Sequence, residues 1–394
     1  MNAIEKLPTD PQRGCLLPRP DSRTRGRPRV CSSTRRLLVA LVAAVGLLSG
    51  CPAFQKGKAR YPAPDERFIE VGGRRIHFVD EAAGPKKPTI VFIHGFASSW
   101  VVWSQLMSAL KEEYRVVALD LPGFGYSDKK PGDYSPQALA DLVARFMEAR
   151  SIPRAHVVAH SWGCSVALAL ALRHRARVQT LSLLGAWVFE EQIVPFMKWS
   201  RVKWLGELLF ALFYTERVGD RFAAAFHDPR RYADHATTRK IQKALERPGA
   251  VRAALQAVRD MRFEKLQARY RRVQAPTLLI WGRQDHVSKL RFAHRLHKTL
   301  PNAWLFSLEL CGHFPMIERY DVTLRRLRKH LSRFRLEHPP EARDRVGGRE
   351  QGRSRATKTG DTTETEEATE PEEATETGEA TEAKEASSGR GGAR

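Results

Sequence analysis

Three short stretches carry residue types that could form one nucleophilic centre. Ala159-His160-Ser161-Trp162-Gly163 places a serine between an apolar run, His156 to Ala159, and a helical one, Trp162 to Leu172. A serine on a sharp strand-to-helix turn presents its hydroxyl, and small neighbours suit the close approach of helix and strand around it. Trp281-Gly282-Arg283-Gln284-Asp285 puts an acid just past a second apolar run, and Cys311-Gly312-His313-Phe314-Pro315 puts a histidine past a third. Alone, Ser161 reads as a helix cap, Asp285 as a turn residue and His313 as a loop histidine. Together they supply a hydroxyl to attack a carbonyl, an imidazole to take its proton and a carboxylate to orient the ring. Glu190 is a remote alternative to Asp285, and His94, His160 and His286 read as packing or hydrogen-bonding residues.

These side chains need a scaffold that collects strand ends. Arg67 to Val71 and Arg74 to Asp80 flank Gly72-Gly73, a two-residue hairpin signal. Apolar, β-rich runs follow at Thr89 to Ile93, Arg115 to Leu119, His156 to Ala159, Val178 to Leu184, Thr277 to Trp281 and Ala303 to Leu308. Helical stretches lie between most of them, such as Pro136 to Arg150 with Ser135 as its cap. Near-continuous apolar strands separated by helices imply an α/β fold with a mostly parallel sheet covered on both faces. The rhythm breaks between Leu184 and Thr277, where aromatic-rich helical segments (Trp187, Phe196, Trp199, Trp204, Phe210, Phe222) predict a helical lid inserted after the sixth strand. The expected parts are core over 61–185, lid over 186–273 and core again over 274–340.

On these motifs, with Asp120-Leu121-Pro122-Gly123-Phe124-Gly125-Tyr126-Ser127, the stretch from Tyr61 to about Phe334 resembles the α/β-hydrolase superfamily, in particular its lidded branch. Ser, Asp, His is that superfamily's chain order. Ala159 departs slightly from it, standing where the first Gly of the nucleophile motif is usual. The resemblance implies an α/β-hydrolase fold, a catalytic triad of Ser161, His313 and Asp285, and an oxyanion hole formed by the backbone N–H groups of Phe96 and Trp162. Branch members that open epoxides or displace halides use an Asp nucleophile, so Ser161 favours carbonyl chemistry. The expected activity is hydrolysis of a carboxylic ester, or a related acyl bond, of a small apolar substrate. An acyltransferase would share every one of these residues, and a non-catalytic envelope lipoprotein binding anionic lipid is the alternative outside enzymology.

No metal-ligand cluster or phosphate loop is present in the sequence, and Gly123-Phe124-Gly125 lacks the third Gly of a dinucleotide fingerprint, so no cofactor is expected. Cys164 and Cys311 each lie within three residues of a triad member; two buried thiols, or a disulfide near the active site, are both compatible with that placement.

The ends of the 394-residue chain read differently from its body. Residues 1–50 are basic, and Leu37 to Leu48 is an uncharged run of signal-peptide length, too short to span a bilayer comfortably. Leu48-Ser49-Gly50-Cys51 resembles a bacterial lipobox, which implies lipidation of Cys51, a tether over 51–60, and attachment to the bacterial cell envelope, with Pro52 pointing to the outer membrane facing the periplasm. From 341 to 394 the chain is a low-complexity tail expected to be disordered. The net charge is +22 overall. Residues 1–50 hold nine basic and three acidic residues, while Asp361 to Glu385 holds eleven acids against Lys384 alone. The body is therefore more basic than the total. On an exported protein that excess suits an anionic membrane better than nucleic acid.

Overall fold

The computed structural model describes residues 67–81, 87–214, 224–232 and 247–334. The chain divides into units Met1–Glu337 and His338–Arg394; all described residues belong to the first. The expected signal peptide, Cys51, the 51–60 tether, Phe222 and the 341–394 tail lie outside the described residues.

All eight anticipated strands form, and they make one sheet: β1 (Arg67–Val71), β2 (Arg74–Glu81), β3 (Thr89–Ile93), β4 (Arg115–Leu119), β5 (Ala155–His160), β6 (Val178–Leu184), β7 (Thr277–Gly282) and β8 (Ala303–Leu308). Their spatial order is β1-β2-β4-β3-β5-β6-β7-β8. The hairpin at Gly72-Gly73 pairs β1 with β2 antiparallel, both glycines having positive φ, and β2 pairs antiparallel with β4. From β4 to β8 every pairing is parallel. Parallel pairing needs crossovers, and the helices that supply them cover both faces.

The period-two alternation of the strands sorts the core into two layers. Val91, Ile93, Val117, Leu119 and Val157 face one side, where α2 (Pro136–Ala149), α3 (Gly163–Arg173) and, near the β7–β8 edge, α7 (Leu290–Thr299) pack. Ile90, Phe92, Val116, Ala118 and Val158 face the other, against α1 (Ser104–Leu110) and α8 (Tyr320–Arg333). Ser135 caps α2 by accepting the Ala138 N–H, with Pro136 in the first turn.

The insertion between β6 and β7 is helical in its described parts. It contains α4 (Pro195–Ser200), α5 (Leu205–Phe213) and α6 (Ala250–Asp260). Phe210 stacks between Phe196 and Tyr214, with ring centroids 5.5 and 4.6 Å apart.

Candidate active site

Ser161 occupies the turn between β5 and α3, with φ of 52°. A non-glycine residue in this left-handed region is strained, and surrounding bonds must hold it there. They do so at three points: the Ser161 N–H donates to Leu184 O at the end of β6, and Ser161 O accepts the N–H groups of Cys164 and Trp187. Gly163 has a steric reason. A Cβ there would lie 2.4 Å from His94 O and 2.7 Å from Ile93 O, so the first turn of α3 rests directly on the end of β3.

Asp285 follows β7 and His313 follows β8. The Asp285 carboxylate accepts the Val287 and Ser288 N–H groups at Oδ1 (2.8 and 2.7 Å), which fixes its plane. Its other oxygen, Oδ2, accepts from His313 Nδ1–H at 2.8 Å. A carboxylate only accepts, so the imidazole carries its proton on Nδ1 and its Nε2 is free to accept from the Ser161 hydroxyl at 2.9 Å. All three side chains are buried. Three residues separated by 124 and 28 positions in the chain thus meet in one hydrogen-bonded line. Glu190, the remote alternative acid, is elsewhere: it pairs with Arg201 and accepts the Phe263 N–H.

The loop after β3 abuts Ser161, since a Cβ on Gly95 would lie 2.9 Å from Ser161 Cβ. Among the described residues no backbone acceptor takes the N–H of Phe96 or Trp162. Trp162 opens α3, so its amide lies at the positive end of that helix.

Buried polar side chains support the triad, among them two of the histidines read from sequence as packing or hydrogen-bonding residues. His94 bridges two loops, accepting the Leu121 N–H at Nε2 (2.9 Å) and donating from Nδ1 to Gly95 O (2.8 Å); burial pushes its pKa down, keeping it neutral. His160 donates from Nε2 to His313 O (2.8 Å) and lies against the His313 ring, centroids 4.7 Å apart. Burial holds its pKa well below the ordinary value, so it places no cation beside His313. Asp120 accepts from Trp100 N, Tyr126 N and His77 Nδ1 at 2.7 to 2.8 Å. Its burial alone would raise its pKa, but these bonds and His77 bring it below the usual value.

Glu318 is the least expected. Its carboxylate accepts the Gly312 and Phe314 N–H groups on either side of His313 (3.0 and 3.1 Å), and the His227 N–H from the insertion (2.7 Å). The His313 N–H itself donates to Ala225 O at 2.8 Å. Burial raises the Glu318 pKa, with the nearby Asp285 charge acting in the same direction against the three N–H groups. On the other side, Gln192 accepts the Val188 and Phe189 N–H groups (both 2.8 Å) and donates to Ser288 Oγ (2.7 Å), tying the start of the insertion to the Asp285 loop. Cys164 and Cys311 are free, buried thiols, not a disulfide. Burial pushes both thiols up in pKa, away from reactivity.

A cavity of about 690 Å³ opens onto Ser161 and His313. Phe96, Trp187, Phe196, Met197, Phe210 and Tyr214 supply much of its wall, so it is mostly apolar, with Ser161 and His313 among its polar lining residues. Among the described residues no group of His, Cys, Asp and Glu could hold a metal ion.

A mostly parallel sheet with a serine at a strained strand-to-helix turn and Asp and His at later strand ends has the architecture of an α/β hydrolase. A family model of the alpha/beta hydrolase fold matches residues 88–320. The 2-hydroxymuconate semialdehyde hydrolase of Pseudomonas sp. (strain CF600) is 30% identical over 263 residues, covering 64% of this chain and 88% of that protein. The "Uncharacterized hydrolase YugF" of Bacillus subtilis (strain 168) is 26% identical over 282 residues, covering 69% and 98%. Among solved structures, wild-type Cfl2 from Burkholderia cenocepacia superposes with a TM-score of 0.60 at 28% identity, covering 69% of this chain and 98% of that one. The chain belongs to the alpha/beta hydrolase fold family and is an enzyme of that class.

Proposed function

We propose that the protein is a membrane-anchored serine hydrolase that cleaves a carboxylic ester, or a related acyl bond, of an apolar substrate. The observation that carries this reading is the 2.9 Å contact of Ser161 Oγ with His313 Nε2 at the base of an apolar cavity. Ser161 Oγ attacks the substrate carbonyl while His313 accepts its proton. Asp285, held by two backbone N–H groups, orients the imidazole and stabilises its cation. The Phe96 and Trp162 amides receive the developing oxyanion. Collapse of the tetrahedral intermediate expels the alcohol, protonated by His313, and leaves an acyl-Ser161. Water, deprotonated by the same imidazole, then attacks the acyl carbon and releases the acid.

The cavity suits the substrate half of the reading: its volume lies in the range of small-ligand pockets, and its aromatic wall selects for apolar bodies. The anchor rests on the sequence, in which Cys51 follows an apolar run and two small residues. Acyl chains on that cysteine would hold the enzyme at the cell envelope.

Labelling of membrane fractions with a fluorophosphonate probe tests both halves. The wild type is expected to label, and Ser161→Ala to lose labelling together with about a millionfold of turnover. Absence of labelling in folded wild type overturns the hydrolase reading. After a carbonate wash that strips peripherally bound protein, the wild type is expected to stay with the membrane and Cys51→Ala to move to the soluble fraction, and equal retention of the two overturns the lipid anchor.

A further inference from the structure

The helix pair at the cavity mouth has an outer surface that is both apolar and basic. Trp199, Val202, Trp204, Leu212 and Phe213 are 49% to 61% exposed. Within 194–214 the exposed charged positions are Lys198 and Lys203, with no exposed acid; just before this stretch the exposed Glu191 pairs with Arg295 at 3.0 Å and also feels the Lys198 charge. The other charges of this stretch are spent internally: Arg201 pairs with Glu190, and Glu207 with Arg259 at 2.7 Å.

Three features identify what this face fits. Trp199 and Phe213 are exposed and also line the cavity, so its mouth is continuous with the apolar surface. The mixture of indoles, aliphatic groups and lysines over 194–214, with no exposed acid in that stretch, is complementary to a surface that is apolar in depth and anionic at its rim. Trp204 sits at φ of 64° with its indole 61% exposed, a strained backbone that presents a large ring to solvent instead of to the core. A second copy of this chain placed across a twofold axis would bring the same cationic surface against itself.

We propose that this face docks on an anionic lipid bilayer, with the Trp199 and Trp204 indoles at headgroup level and Lys198 and Lys203 against lipid phosphates. The cavity then opens toward the acyl region, and the substrate is an acyl lipid taken from the membrane. The substrate assignment rests on the serine-hydrolase reading; the docking does not.

The test uses the full chain carrying Cys51→Ser, so that no acyl anchor contributes. It is sedimented with phosphatidylcholine vesicles, with or without about a quarter phosphatidylglycerol. A Val202→Ser/Lys203→Glu/Trp204→Ser variant changes residues that do not line the cavity. The parent is expected to bind the anionic vesicles, and the variant to bind at least about tenfold more weakly. Turnover of a short soluble ester should be equal in both, while fatty-acid release from vesicle lipid falls with binding. Lys203→Glu alone, a milder change, should weaken binding to anionic vesicles and not to neutral ones. Absence of vesicle binding by the parent, or equal binding by folded variants, overturns the proposal. So does a parent dimer that the substitutions split without any lipid association. Vesicle binding without turnover of either substrate supports the docking and overturns the hydrolase reading.

Discussion

Around His313 the strand-end loops are tied to one another by buried polar bonds. Glu318 holds the backbone on both sides of the imidazole, Gln192 and Ser288 hold the acid loop, and Asp120 and His94 hold the loop that follows β3. The helix pair over the cavity is built the other way. Stacked rings of Phe196, Phe210 and Tyr214 hold it from below, and its outer side chains are apolar and exposed. Directional bonds set atoms to within fractions of an ångström, as proton transfer requires. Ring packing tolerates sliding and rotation, as admission of substrates of different shape requires. Under the proposed function, chemistry and selection fall to parts of the molecule with different mechanical character, and substitutions in the two parts should fail differently.

Glu318→Gln tests the polar side most severely. The amide keeps the volume but turns one acceptor oxygen into a donor facing backbone N–H groups, so the His313 loop loses a tie on at least one side. A displacement of this kind is expected to lower kcat by about a hundredfold with KM nearly unchanged, read from steady-state kinetics on a soluble ester. A pH signature separates this from simple loss of structure. The folded-state pKa of Glu318 is raised above the ordinary 4.5. The folded protein therefore binds more protons than the unfolded chain between that value and the raised one, and stability falls as pH climbs through the window. The substitution removes that slope, which thermal unfolding across the window detects. If kcat is unaffected, the polar web is structural and the contrast between the two regions collapses.

Phe210→Ala tests the apolar side. Phe210 is fully buried and stacked on two rings, so its truncation should destabilise the insertion by about 3 kcal/mol. Because it also lines the cavity, KM for a medium-chain ester should rise about tenfold, with kcat changing much less. A large loss of kcat at unchanged KM would show that the lid shapes the reacting geometry after all.

How the two regions read in the sequence follows from the same distinction. Ser161, Asp285 and His313 were legible because each sits at the end of an apolar run, and strand ends converge in a parallel sheet whatever the intervening chain does. The lid was legible as an interval without strand pattern but rich in aromatics. Glu318 was not, because its partners Gly312, Phe314 and His227 are backbone groups, and one of them lies 91 residues away. The signal available was an acid closing the apolar turn Phe314-Pro315-Met316-Ile317, which needs buried donors nearby. Gln192 and Ser288, 96 residues apart, left no local trace of their pairing. The strained φ of Ser161 was implied by its small flanking residues, whereas that of Trp204 had no counterpart in pattern or composition.

The smallest effect, and the sharpest separation of strain from packing, is expected for Trp204→Gly. At φ 64° and ψ −44°, with the Leu205 N–H bonded to Lys203 O, Trp204 centres a strained γ-turn, and glycine relieves a cost of about 1 to 3 kcal/mol there. It also frees the unfolded chain by about 0.5 to 1 kcal/mol in the opposite direction. The indole is mostly exposed, so little packing is lost, and the net change in stability should stay within about 1 kcal/mol of zero or favour the variant. Trp204 does not line the cavity, so kcat and KM on a soluble ester should match the wild type. A loss of several kcal/mol in chemical unfolding would mean that the indole is a packing element of the lid. Stability unchanged or raised, with soluble-ester turnover intact, would mean that the strained conformation serves something outside the fold, as the exposed ring at the cavity mouth implies.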